Sequence, residues 1–353
     1  MEESQMSTKR RFFLLSLFVV LLIGILPATY AQDDVFRVAA VAPSATNDLA
    51  FSQSMYDALL NIQAEMGEDQ FQFNFQDGTF VVDDAAVALR EWAASGEYDL
   101  VIAHGSQFGT ILEELAPEFP EVSFAWGTDV NTFGLDNVYA YTAAAEEGGY
   151  INGVVAAGLT SSKNIGVIGP IEVGDAKLYV DGFKAGVAAT NPEIVVNVTY
   201  IQSFSDVPLA TEAANTFVAN GADVLTGTAQ MVVGPIAVAQ ENGLPWFGTQ
   251  SSQAELAGDS GVLFQVYRWE VVLKDIIAAI QEGTLGGVSY TIDLENGGLV
   301  VEISEFNTTL SDETKAALQE TIDAVSAQIA SGEIVVLPEA DEATPEVTPE
   351  ATS

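Results

Sequence analysis

The 353-residue chain contains no cysteine. That removes disulfides, thiol nucleophiles and thiolate-bound metals together. It has one histidine, His104, so a histidine-rich zinc site is excluded and a Ser–His–Asp triad would have to use that one ring. Basic residues are scarce: 11 Lys+Arg stand against 50 Asp+Glu, for a formal net charge of −39. Such a surface repels phosphate backbones and anionic lipid heads, so no nucleic-acid partner is expected. No P-loop, no metal-ligand spacing and no G-x-S-x-G turn is present. The sequence therefore calls for no metal and no cofactor. Paired carboxylates, which could serve an extracellular hydrolase, are uninformative in so acidic a chain.

Apolar residues are plentiful, at 48%. One long apolar run stands at the N-terminus. Lys9, Arg10 and Arg11 precede Phe12 to Leu26, and small residues follow at Thr29 and Ala31. This reads as an export signal over residues 1–31, with cleavage before Gln32. The competing reading is an uncleaved anchor helix, but the run is short of the ~20 residues a spanning helix wants. The mature chain is expected to be soluble and extracytoplasmic. At the other end, residues 338–353 repeat Thr-Pro-Glu and are expected to be a disordered acidic spacer.

Between these ends, short β-branched or apolar runs alternate with stretches of helical period. Phe36 to Pro43 reads as a strand, and Phe51, Met55, Leu59 and Ile62 then recur on one helix face. Strands over Tyr98 to Gly105 and Glu121 to Gly127 follow, each after a helix. A second series begins at Lys163, with a helix expected across Tyr179 to Thr190 and a strand ending in Trp246-Phe247-Gly248. The series match each other. The expected fold class is α/β, with two similar doubly wound parallel-sheet lobes and an interlobe cleft. The first lobe is expected over 35–145 with a late segment near 262–290. The second is expected over 160–260 with a segment near 290–305.

In such sheets ligands bind beyond the carboxyl ends of the strands. That places candidate ligand-binding residues in the βα loops. Asn47 and Asp48 precede the first helix, where an N-cap role competes with ligand contact. Phe51, Trp126 and Trp246 are candidate stacking rings, against the commoner fate of filling a core. Ser106, Gln107 and Phe108 follow the strand ending in His104, and Gln230 is their counterpart in the second series. A glutamine both donates and accepts, which suits the edge of a heterocycle. His104 reads as structural more readily than catalytic.

Several motifs, in order, resemble the basic membrane protein family of ABC-transporter substrate-binding proteins. They are "NDLAFSQSMYDAL", "YTAAAEEGGYINGVVAAGL", "DGFKAGV", "YIQSFSD", "GADVL" and "FGTQSSQ". The resemblance runs from about Phe36 to Glu305. It implies a type-I periplasmic binding fold, an ABC permease as partner, and Phe51 as the ring that stacks on a purine, with Asp48 close to the ligand. In "FGTQSSQ" the family places two aspartates. Gln250 stands where the first grips ribose hydroxyls, and Ser252 stands at the second, while Gly248, Ser251 and Gln253 match. On the following strand Tyr267, Arg268 and Trp269 stand near a family lysine. The family's lipid-bearing cysteine is absent.

The resulting expectation is a monomeric binding protein, not an enzyme, for a flat uncharged ring such as a purine nucleobase. A sugar binder of the same fold is the alternative, and an extracellular carboxylate-dependent hydrolase is the rival from another class.

Overall fold

A computed structural model describes residues 35–338. The expected export signal, and the acidic tail beyond Pro338, lie outside them. Within them the chain builds two six-stranded sheets. The first contains β1 (Phe36–Val41), β2 (Phe71–Gln76), β3 (Leu100–His104), β4 (Ser123–Gly127), β5 (Val138–Ala143) and, late in the chain, β11 (Ser289–Ile292), ordered β11-β5-β4-β3-β1-β2. The second contains β6 (Asn164–Gly169), β7 (Val195–Tyr200), β8 (Val224–Gly227), β9 (Trp246–Thr249), β10 (Gly261–Tyr267) and β12 (Leu299–Ile303), ordered β12-β10-β9-β8-β6-β7. Apart from antiparallel β12, each series is parallel, and the two orders coincide.

Burial follows from position in the sheet. Central β3, "LVIAH", is buried at every residue because helices cover both faces. Edge strand β2, "FQFNFQ", keeps the alternation of a half-exposed strand.

The late segments differ from expectation. Residues 261–267 form β10, paired parallel with β9 in the second sheet, not the first. The run "GVLFQVY" is buried throughout, as an interior strand of that sheet requires. The chain then returns to the first lobe: helix Glu270–Gln281 packs on helix Phe51–Met66, and β11 joins β5. It thus passes between the sheets after β5, after β10 and after β11. Glu147, just past the first passage, accepts the Leu294 N–H at 2.9 Å and so ties it to the third.

Helices Ala145–Leu159 and Gly174–Thr190 form the closest helix pair in the second lobe. Glycines allow it. A Cβ at Gly182 would fall on the Glu146 carbonyl, and one at Gly186 on the Tyr150 carbonyl. The second helix begins at Gly174, not at Tyr179 as its apolar period suggests. That earlier start carries Asp175 to the cleft.

Candidate functional site

Between the lobes lies a cavity of about 400 Å³. Its walls come from βα loops of both sheets, as the topology dictates. From the first lobe come Phe51, Phe80, Ser106, Gln107 and Thr128, and from the second Asp175, Phe204, Thr228 and Gln230. The duplicated loops after β3 and β8 behave alike. Gln107 and Gln230 both line the cavity, while Phe108 and Met231, one residue further along each, are wholly buried. Phe108 therefore packs in the first lobe's core and does not line the cavity.

Phe51 opens helix Phe51–Met66, and its ring stacks on His104 at 3.9 Å between centroids. His104 is fully buried. Its Nε2 lies 3.3 Å from the Phe51 carbonyl oxygen, which can only accept, so Nε2 carries the proton. Nδ1 then accepts from the Tyr141 hydroxyl at 2.8 Å. Burial pushes the His104 pKa down to about 3, against the opposing hydrogen bond to Phe51, so the ring is neutral near pH 7. Both nitrogens are committed, and the histidine braces Phe51.

Trp269 is also wholly buried, edge-on to both Phe51 and His104, and its Nε1 donates to Ser54 Oγ at 3.0 Å. It supports the stacked pair from behind and does not line the cavity.

Asp48 acts as a cap. Its carboxylate accepts the N–H groups of Ala50, Ser52 and Gln53 at 2.8 to 3.1 Å and the Ser44 hydroxyl. Those orphan helix donors need an acceptor, and Asp48 is spent on them and on the opposite lobe. Gln230 Nε2 reaches across the cleft to Ser44 Oγ at 2.8 Å and Asp48 Oδ2 at 3.3 Å. Gln253 Nε2 adds a second bridge to the Leu49 carbonyl at 3.1 Å. Asn47 is exposed in the turn and is not part of the cavity wall.

Two tryptophans expected at the cleft are core residues. Side chains within a strand stand perpendicular to the sheet and meet the covering helices; only residues beyond the strand end meet the cleft. Trp126 sits within β4, stacks on Phe133 at 5.1 Å and donates from Nε1 to the Gly105 carbonyl at 3.1 Å. Trp246, first residue of β9, is fully buried in the second lobe's core. On β4 it is Thr128, just past the strand, that reaches the cavity.

Gln250 and Ser251 line a separate crevice of about 170 Å³, with Ser54, Asp57 and Arg268. Gln250 Oε1 accepts the Tyr267 N–H at 3.3 Å, which draws the side chain onto β10.

Asp175 and Phe204 were not singled out by sequence reasoning. Asp175 lies in the first turn of the helix that follows β6, the counterpart of the helix that Phe51 opens after β1. Carrying the internal duplication one loop further would have found it. Phe204 lies in "YIQSFSD", just beyond β7. Among the described lining residues Asp175 is the one carboxylate, and there is no Lys, Arg or His. Its Oδ2 accepts from the Tyr267 hydroxyl at 3.2 Å. Burial pushes its pKa up, partly offset by hydrogen bonds from Tyr267 and Ala176. The one carboxylate in the wall is thus Asp175 and not Asp48.

Among the described residues no group of three or more His, Asp or Glu could hold a metal ion, and no helix is long and apolar enough to cross a membrane.

Two duplicated parallel lobes around a loop-lined cavity define a solute-binding protein of the type-I periplasmic fold. Residues 35–336 match the family model Bmp, "ABC transporter substrate-binding protein PnrA-like", and the chain belongs to that family. A purine-binding protein of Brucella abortus is 27% identical over 266 residues, 75% of this chain and 73% of that protein. The transcriptional activator protein med of Bacillus subtilis is 26% identical over 290 residues, 82% of this chain and 88% of its own. The solved structure of an ABC transporter solute-binding protein from Conexibacter woesei aligns with a TM-score of 0.72 at 26% identity, covering 86% of this chain and 99% of that one.

Proposed function

We propose that this chain is the extracytoplasmic solute-binding protein of an ABC importer, and that it captures a purine nucleobase or a related flat heterocycle by closing its lobes over it. The carrying observation is phenylalanines from both lobes, Phe51 and Phe80 from the first and Phe204 from the second, in the wall of a single cavity. Aromatic rings gain both apolar burial and stacking from a flat guest. Ser106, Gln107, Thr128, Thr228 and Gln230 supply uncharged donors and acceptors for its edges. Gln230 Oε1 is buried without a protein partner, an acceptor suited to a ligand N–H. The purine-binding relative supports the same class of ligand. The family implies a permease that receives the ligand.

Direct DNA contact, as the name of the Bacillus relative brings to mind, is disfavoured by 50 Asp+Glu against 11 Lys+Arg. Calorimetric titration with adenine, hypoxanthine, guanosine, glucose and ribose tests the reading. Micromolar or tighter binding of a purine, with the sugars silent, is the expected outcome. Binding of a sugar with no response to any purine overturns it.

A further inference from the structure

Every polar side chain in the cavity wall is neutral except Asp175, and the carboxylates near the helices that follow β1 and β6 are engaged differently. In the first lobe Asp48 is consumed by three backbone N–H groups and lies outside the wall. In the second lobe Asp175 faces the cavity and has an uncharged side-chain partner, the Tyr267 hydroxyl. No lining cation neutralises it among the described residues. The remaining lone pairs of an ionised carboxylate accept only, so it discriminates sharply by hydrogen-bond polarity.

We propose that Asp175 is the specificity-determining residue of this cavity, selecting ligands that present adjacent N–H donors and rejecting anionic ones. The inference rests on the purine reading above and deepens it. Among purines, the 2-amino-6-oxo edge offers N1–H and the exocyclic amine side by side, which a carboxylate matches with both oxygens. Hypoxanthine lacks that amine and keeps the single donor. Phosphorylated ligands would bring negative charge against Asp175 with no cation in the wall to receive it. Burial pushes the Asp175 carboxyl up, and the hydrogen bonds from Tyr267 and the Ala176 N–H oppose that push by favouring the ionised form.

Equilibrium dialysis of the purified protein against radiolabelled guanine and hypoxanthine, at neutral pH, tests this. One matched bidentate pair corresponds to about 5- to 150-fold discrimination. The wild type is expected to prefer guanine within that range, and Asp175→Asn to lose the preference because its amide sets a donor against a donor. Asp175→Ser, checked for folding by thermal melting, gives the same readout if the amide variant does not fold. Tyr267→Phe keeps the carboxylate and is expected to retain the preference. Equal binding of the two bases by the wild type, or an undiminished guanine preference in a folded Asp175 variant, overturns the assignment and leaves the purine reading standing. Failure of the wild type to bind either base overturns the assignment, and failure to bind adenine as well overturns the purine reading with it.

Discussion

Phe51 lies flat on His104, with ring planes 9° from parallel and centroids 3.9 Å apart. The same imidazole donates to the Phe51 carbonyl, so ring and main chain are held by one neighbour. Trp269 closes the back of the pair. One wall of the cavity is therefore fixed before any ligand arrives, which lowers the ordering cost of binding.

Removal of either ring should weaken binding without unfolding the protein. Phe51→Ala and Phe204→Ala are each expected to lower purine affinity by about 1–3 kcal/mol, the range for stacking on one aromatic. Calorimetric titration measures it. An unchanged dissociation constant in both variants would exclude stacking.

Ser44 tests the clasp. It lies outside the cavity wall but receives Gln230 Nε2 from the other lobe at 2.8 Å. Ser44→Ala is expected to weaken every ligand by a similar factor, about 1 ± 0.5 kcal/mol for one hydrogen bond. A ligand-selective loss in the same titrations would mean that Ser44 touches the ligand.

His104 governs part of the acid response. Its folded pKa is about 3 against an ordinary 6.5, so the unfolded chain binds the proton more readily in between. Stability then falls as pH drops from 6.5 towards 3, by up to ~1.4 kcal/mol per pH unit from this group. His104→Gln cannot take up that proton, so its stability should fall less steeply across this window. Urea midpoints at stepped pH check it. Parallel curves for variant and wild type would contradict the assignment.

The glycine-mediated helix pair makes a stability prediction. A methyl at Gly186 would fall on the Tyr150 carbonyl, which is main chain and cannot swing aside. Gly186→Ala is expected to destabilise by about 1–3 kcal/mol or more, the range for overpacking. Gly332→Ala, at φ +73° with open space around it, isolates the backbone component and should cost less. Thermal melts compare the two.

The duplicated architecture was legible because both lobes repeat the same period of strand and helix. Phe51, Ser106, Gln107 and Gln230 were legible because loops after parallel strands face the cleft. Trp126 and Trp246 misled because β4 runs on to Gly127 and β9 to Thr249, so both rings still stand within a strand and meet the covering helices. Asp175 was hidden because Gly174 and Asp175 interrupt the apolar period that marks helix Gly174–Thr190. The placement of β10 was hidden because a buried strand reads the same in either sheet.

The most direct test of a flat guest held between the lobes is a crystal structure of the protein grown with hypoxanthine or guanine. The account predicts a ring in contact with Phe51 and Phe204, its edge facing Asp175 and the Gln107–Gln230 loops. Density in the Gln250–Ser251 crevice instead, or an empty cleft at saturating base, would contradict it.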